Sequence, residues 1–482
     1  METAGNGQTA LNSFRKIAID EVICPLHVNS ERDACIFVHE QMQQDITFRI
    51  SPRPFPLDPD TYAEIESLGR VLLRFYQGIQ ELYFASAAGR MPHWIQEYLE
   101  LGKPELVLDY GRMRRFRRDY PLIIRPDILL TEDGMAVTEL DSVPGGFGLT
   151  AELSRVYTRL GYDVVGGSHG IIDGFAQAIC SQVQDEDPVV AIVVSEESQD
   201  YFAEMDWLAH ALTERGLTAF AIPPEDLIFQ EHGLYVASDK GLQHITFLYR
   251  FFELFDLKNI PKIDLILYAI RKRLVQVTPP LKAYLEEKLN FALFHHPVLA
   301  NWWKEHLGKS DYAKLKRIIP RTWIVDNRPL PPHAVIPGLE INGEPVTDFR
   351  QLGEASQSNR EYVLKVSGFS ETAWGSRGVH IGHDLSRKEW SARLGEALES
   401  FPKQPYILQE FRKARQVETA FYDGEHDVVQ PMPGRVRLCP YYFVNGSEIN
   451  LAGILATICP IDKKLIHGMV DAVMVPTMVE GR

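Results

Sequence analysis

Cysteine is scarce in this chain, with five among 482 residues. Cys24, Cys35, Cys180, Cys439 and Cys459 are scattered, and no two stand in CxxC spacing. That excludes a disulfide framework or a zinc ribbon and predicts reduced, buried thiols. Long apolar runs are missing too. No stretch reaches the ~18 uninterrupted apolar residues of a membrane helix. The first residues, METAGNGQTALNSF, have no apolar core like that of a signal peptide. A cytoplasmic protein is therefore the expectation. Positive charge is in deficit: 50 Lys and Arg face 65 Asp and Glu, a net −15. Such a surface repels polyanions, which argues against nucleic acid or an anionic membrane as partner. The HExxH, GxGxxG and GxxxxGK[ST] patterns are all absent. The only histidine pair, His295-His296, is adjacent, and adjacent side chains on a helix do not face each other.

What is present is ordinary for a large globular chain, with 45% hydrophobic and 24% charged residues. The length suggests about two to four structural units. Pro52, Pro54, Pro56 and Pro59 make 51–60 extended. Thr61 to Ser86 has apolar residues at three- and four-residue spacing, a long amphipathic helix with Gly69 and Gly78 inside it. PHWIQEYLELG reads as a second helix, and RMRRFRRDY as a solvated basic segment. PLIIRPDILLTEDGMAVTELDSVPGG punctuates as strand, turn, strand, followed by a helix over 148–160. From about Asp187 a β-α-β rhythm begins with the buried parallel strand PVVAIVVSEES. In that unit HITFLYRFFELFDL reads as a helix and IDLILYAI as a strand. Residues 281–307 are mainly helical, and a proline-rich linker spans 327–332.

Two segments carry chemistry. In EYVLKVSGFSETAWGSRGVHIGHDLS, a strand over 361–366 and a returning strand over 378–382 flank a loop with Gly368, Gly375, Ser376 and Gly378. Glycines allow close backbone approach, and successive N–H groups can hold phosphate oxygens. Lys365 adds a point charge at the strand end. Glu371 is a candidate cation ligand, and Arg377 a partner for phosphate or carboxylate. The competing reading is a polar hairpin loop. In TELDSVPGGFGL, Glu139 and Asp141 are two apart in a strand and share a face, a pattern that suits Mg²⁺. Gly145, Gly146 and Gly148 let another group approach. A structural acidic turn explains the same letters. Ser386 and Glu389 mark a capping box, and YILQEF reads as a strand.

Together these segments resemble the circularly permuted ATP-grasp ligases, of the glutathione-synthetase and glutathionylspermidine-synthase-like groups. The order of motifs carries the resemblance over 120–482: an acidic segment with glycines, a small α/β unit, then the lysine and glycine loop. The resemblance implies an α/β chain, α+β in part: an ATP-grasp fold with an inserted small open α/β domain. Its parts would be a helical region 1–120, the first ATP-grasp portion 121–185, the α/β domain 186–280, a helical connector 281–345, and the rest of the ATP-grasp domain 346–482. It implies ATP and Mg²⁺, small-molecule carboxylate and amine substrates, and an acylphosphate intermediate, and it leaves a homo-oligomer open. Glu139, Asp141 and Glu371 would hold the metal. Lys365 and Lys304 would meet nucleotide, and Gln409, Glu410 and Phe411 the adenine. Arg125, Arg377 and Arg437 would receive the acyl group. Glu448 with Asn450 is a competing acidic cue. RVRLCPYYFV and INLAGILATICP would close the domain. Departures are Asp141 in place of asparagine, Pro144 in the acidic segment, and Trp374 in a loop without consecutive glycines. Two other classes compete with a ligase: a nucleotide-binding module without turnover, and a structural α/β interaction protein.

Overall fold

The computed structural model describes residues 48–373, 377–423, 426, 428–463, 466 and 471–481. A 29-residue helix, α1 (Pro59–Ala87), is the first helix among the described residues. Asp58 caps it, accepting from the Thr61 N–H at 2.8 Å, and Pro59 occupies its first turn. The two internal glycines do not break it. A Cβ at Gly69 would lie 2.5 Å from Tyr442, and one at Gly78 would lie 2.5 Å from Trp303. The glycines let the helix lie flat on its neighbours. Two short helices follow, α2 (Trp94–Glu100) and α3 (Glu105–Arg112).

A seven-stranded sheet gathers strands from both ends of the chain. These are β1 (Phe55–Leu57), β2 (Ile123–Thr131), β3 (Gly134–Asp141), β17 (Gln416–Asp423), β18 (Val428–Asn445), β19 (Glu448–Pro460) and β20 (Val473–Val479). The β2–β3 hairpin turns at Glu132-Asp133, and its register pairs Arg125 with Asp141 and Asp127 with Glu139. Then come α4 (Phe147–Arg159) and α5 (Gly170–Cys180).

The second sheet is wholly parallel, in the order β10-β9-β4-β5. Its strands are β4 (Val189–Val194), β5 (Thr218–Ile222), β9 (Phe247–Phe251) and β10 (Gln276–Thr278). Helix α6 (Phe202–Glu214) connects β4 to β5, and α7 (Ile263–Lys272) connects β9 to β10. A small antiparallel sheet, β6 (Ile228–Gln230), β7 (Gly233–Ser238) and β8 (Gly241–His244), fills the β5–β9 connection. Two expectations are reversed here. FLYRF is a central strand, and IDLILYAI is a helix. The burial explains both. All five residues of β9 are buried, whereas in α7 Ile266, Leu267, Ala269 and Ile270 are buried while Leu265 and Tyr268 are exposed.

Helices α8 (Leu289–His295), α9 (Ala300–Leu307) and α10 (Lys309–Ile318) lead to the third sheet. Pro297 separates α8 from α9. The third sheet runs β11-β16-β14-β15, with β11 (Thr322–Val325), β14 (Tyr362–Val366), β15 (Val379–Ile381) and β16 (Tyr406–Glu410). A two-stranded hairpin, β12 (Glu340–Ile341) and β13 (Glu344–Pro345), precedes β14. Helix α11 (Arg387–Ser400) starts at the predicted capping box, with both Ser386 and Glu389 bonds in place. Cys439 and Cys459 are buried as expected, but Cys180 is exposed, and Cys24 and Cys35 lie outside the described residues. Among the described residues no helix is long and apolar enough to cross a membrane.

Candidate functional site

The first and third sheets face each other across a cleft of about 130 Å³, lined by Asp127, Glu139, Lys365, Gln409, Phe411 and Arg437 among others. Lys365 reaches into it from β14. The ammonium donates to the Gln409 side-chain oxygen at 2.9 Å and to the Thr138 carbonyl at 3.1 Å. Burial pushes its pKa down to about 8, against the opposing pull of Glu139. Thus two segments 227 positions apart in numbering meet through one side chain. Asp127 sits behind the lysine. Arg437 pairs with it at 2.9 Å and Arg125 at 3.1 Å, and the Cys439 thiol donates at 3.5 Å. Burial alone would raise the Asp127 pKa, but the two guanidinium groups carry it below the ordinary carboxylate value. Arg125 also binds Asp141 at 2.5 Å. Burial wins at Asp141, whose pKa is raised despite that contact.

The glycine-loop side is built around Lys288, which sequence reasoning missed. It lies just before α8 in LEEKLNF, where no motif distinguishes it from a surface charge. Its ammonium meets Glu139 at 2.9 Å and the Ala373 carbonyl of the loop at 2.8 Å. Its backbone N–H donates to the Ser367 carbonyl at 2.8 Å. Ser367 in turn donates its hydroxyl to Glu287, which pairs with Lys103 at 2.5 Å. Gly368 is needed at the next position, because a Cβ there would lie 2.7 Å from the Glu286 carbonyl. Glu286 is held by the buried Arg250. Nearby Glu253 is pushed up to about 8 by burial and by the Glu286 charge.

Other predicted residues stand elsewhere. Arg377 turns to Glu197, 3.6 Å away in the turn after β4. Glu371 is exposed on the loop. Among the described residues no three His, Cys, Asp or Glu groups come together as a metal cluster, so Glu139, Asp141 and Glu371 do not converge. Gly378 packs tightly, its missing Cβ 2.6 Å from the Thr372 carbonyl. Gly375, Ser376 and Trp374 lie outside the described residues. Lys304 does not line the cleft. The buried face of α9 carries Trp303 and Leu307, and Lys304 is exposed with its ammonium 5.6 Å from the Tyr312 ring. Glu410 and Phe411 line the cleft beside Gln409, and the Phe411 N–H donates to Glu361 at 2.9 Å. Glu448 is at the tip of the β18–β19 hairpin, opposite Asn445, away from Arg437. The expected approach to the Gly145–Gly148 backbone is made by the protein itself. Glu204 of α6 accepts from Gly146 N–H at 3.1 Å and Gly148 N–H at 2.9 Å, capping the N-terminus of α4.

Glu139 and Asp141 are both ion-paired, and together they offer too few oxygens for an all-protein cage. Two carboxylates with nucleotide phosphates supplying the rest is the usual Mg²⁺ arrangement, and these residues fit it.

Among solved structures, the chain is similar to a glutathione synthetase-like effector from Globodera pallida in its apo form. The TM-score is 0.56 at 12% identity, covering 93% of this chain and 98% of that one. The fold is ATP-grasp-like. A protein assigned as a gamma-glutamylcysteine synthetase from Methylobacillus flagellatus is also found, at TM-score 0.40 and 12% identity, over 79% of this chain and 87% of that one. The fold likeness rests on the first. No family model matches the sequence. No curated protein matches it either.

Proposed function

We propose that the chain is an ATP- and Mg²⁺-dependent carboxylate–amine ligase that works through an acylphosphate. One observation carries this reading: in an ATP-grasp-like fold, Lys365 bridges Gln409 of β16 to the acidic strand at Thr138. Lys365 and Lys288 would draw the triphosphate into the cleft between the sheets. Gln409, Glu410 and Phe411 would meet the base. Glu139 and Asp141 would hold Mg²⁺, which offsets phosphate charge when bound. Arg437 and Arg125 would orient the substrate carboxylate by bidentate contacts. One carboxylate oxygen attacks the γ-phosphorus, and the bond to ADP breaks. The amine nitrogen then attacks the acyl carbon, phosphate leaves, and the amine proton passes to solvent. The loop from Gly368 to Gly378, closing over this space, would exclude water from the acylphosphate. In this reading the parallel sheet is the inserted α/β domain, and Arg377 returns from Glu197 to the phosphates on closure.

The test is ATP consumption with Mg²⁺ against mixed carboxylates and amines, with mass detection of adducts. Adducts should form with the native chain and vanish with Lys365→Ala. Intact ATP binding and turnover in that variant would refute the site. ATP binding without any adduct would instead favour a silent nucleotide module.

A further inference from the structure

A second cavity, of about 660 Å³, runs along the outer edge of β11. Its size is in the range of small-molecule pockets. It shares no lining residue with the Lys365 cleft. Trp94 and Tyr98 of α2, His296 after α8, Trp323 of β11 and Phe349 supply aromatic walls. The Trp94 and His296 rings are 4.5 Å apart and tilted by 42°.

Three arginines line this space, and two are already neutralised. Arg328 binds Asp326 at 2.6 Å, and Arg350 binds Asp348 at 3.0 Å. Among the described residues Arg321 has no carboxylate within ion-pair distance. Yet it is held firmly. The guanidinium lies 5.3 Å from the Trp323 ring centroid and donates to the Pro337 carbonyl at 3.1 Å. Its seat is cut into the backbone at Gly338, φ +64°, where a Cβ would lie 1.8 Å from the Arg321 Nη2. The Trp323 indole N–H donates to the same Pro337 carbonyl at 3.0 Å. A pre-set guanidinium with no anionic partner, beside aromatic walls, is a receptor awaiting an anion.

Two more polar features lie beside the same space. The Nδ1 of His296 is buried without a hydrogen-bond partner. Burial also lowers the His296 pKa, so the ring stays neutral and adds no competing charge. The strand edge is open as well. The Arg321 carbonyl accepts from the Glu410 N–H at 2.8 Å, and Thr322 opposes Gln409. By antiparallel alternation the backbone groups of Thr322 and Ile324 therefore point away from β16, toward the cavity they line.

We propose that this cavity is a second ligand site, for a small planar aromatic carboxylate whose carboxylate pairs with Arg321 and whose ring lies against Trp94, His296 and Trp323. It is independent of the ligase reading.

The probe is 2-naphthoate, titrated into the full chain with and without saturating ATP and Mg²⁺, and read by tryptophan fluorescence. The neutral isostere 2-naphthamide is the control. Naphthoate should saturate below about 1 mM, with or without nucleotide. Naphthamide should bind at least about tenfold more weakly, as should naphthoate with Arg321→Gln, because one charge-assisted contact is lost. Arg321→Lys, which keeps the charge but loses the fork, should fall between them. Trp94→Ala, which leaves the guanidinium seat alone, should also weaken binding. It decides the matter if the Arg321 variants fail to fold. Equal binding of naphthamide, no saturation, or displacement by ATP and Mg²⁺ would overturn the assignment. None of those results would bear on adduct formation at the Lys365 cleft.

Discussion

At the scale of single residues, Lys365 combines two properties that are usually separate. It is buried, and under the proposed function it must carry charge to attract phosphate. Its pKa near 8 means the ammonium is mostly protonated at neutral pH but is lost within a unit or two above it. The sign follows directly. Bound phosphate favours the charged form, so affinity is highest below about pH 8 and falls as pH rises through that value. The slope should approach about tenfold per unit. An ordinary lysine would show this only above pH 10. Calorimetric titration of ATP and Mg²⁺ between pH 6.5 and 9.5 would measure it, and Lys365→Arg should flatten the curve. A flat profile in the native chain would mean that Lys365 does not touch phosphate. The sign for stability is opposite. Between about pH 8 and the ordinary lysine value the unfolded chain binds more protons, so this group adds stability as pH rises.

At the scale of elements, glycine has different meanings in two helices. Gly69 lies in α1 where a Cβ would meet Tyr442 at 2.5 Å and Ile449 at 2.8 Å, both packed side chains. Gly395 lies in α11 with nothing within 4 Å. Gly→Ala gains about 1 kcal/mol of helix propensity at either site. At Gly395 nothing opposes the gain, so urea unfolding should show a stabilisation of about 0.5–1 kcal/mol. At Gly69 overpacking costs about 1–3 kcal/mol, and the net effect should be destabilising. Equal shifts for the two variants would show that α1 does not pack so closely. The same contrast explains what could be read from sequence. α1, α11 and the β14–β15 hairpin were legible because periodicity, capping box and glycine loop are local signals. β9 and α7 were exchanged because short apolar runs carry little periodicity, and only their neighbours distinguish a central strand from a crossover helix. Around the cleft, Lys365 and the Glu139–Asp141 strand stood out from local chemistry, whereas Arg437 and Gln409 were named only through the resemblance. Lys288 and Glu204 were not legible, because each acts through a partner far away in sequence.

At the scale of the whole molecule, two of the ion pairs that connect distant parts differ sharply in magnitude. The Arg377–Glu197 pair spans 3.6 Å with side chains 55% and 35% exposed, so it contributes little. The Lys103–Glu287 pair is different, with side chains 0% and 1% exposed at 2.5 Å. It joins the α2–α3 connection to the segment before α8. Through the Ser367 hydroxyl it also fixes the start of the glycine loop, next to the lysine that holds Glu139. A buried pair is weak evidence of net stabilisation, but removing one partner strands the other charge. Lys103→Met should therefore cost about 3–5 kcal/mol in urea unfolding. Lys103→Met combined with Glu287→Gln should recover most of that loss, since Gln still accepts from Ser367 and no charge remains unpaired. If the pair positions the loop as well as filling space, the double variant should regain stability and ATP binding together. Recovered stability with persistently weak ATP binding would mean that the charge itself, not the packing, orients Ser367. A single-variant cost below about 1 kcal/mol would sink the claim that this pair bridges the helical region to the loop.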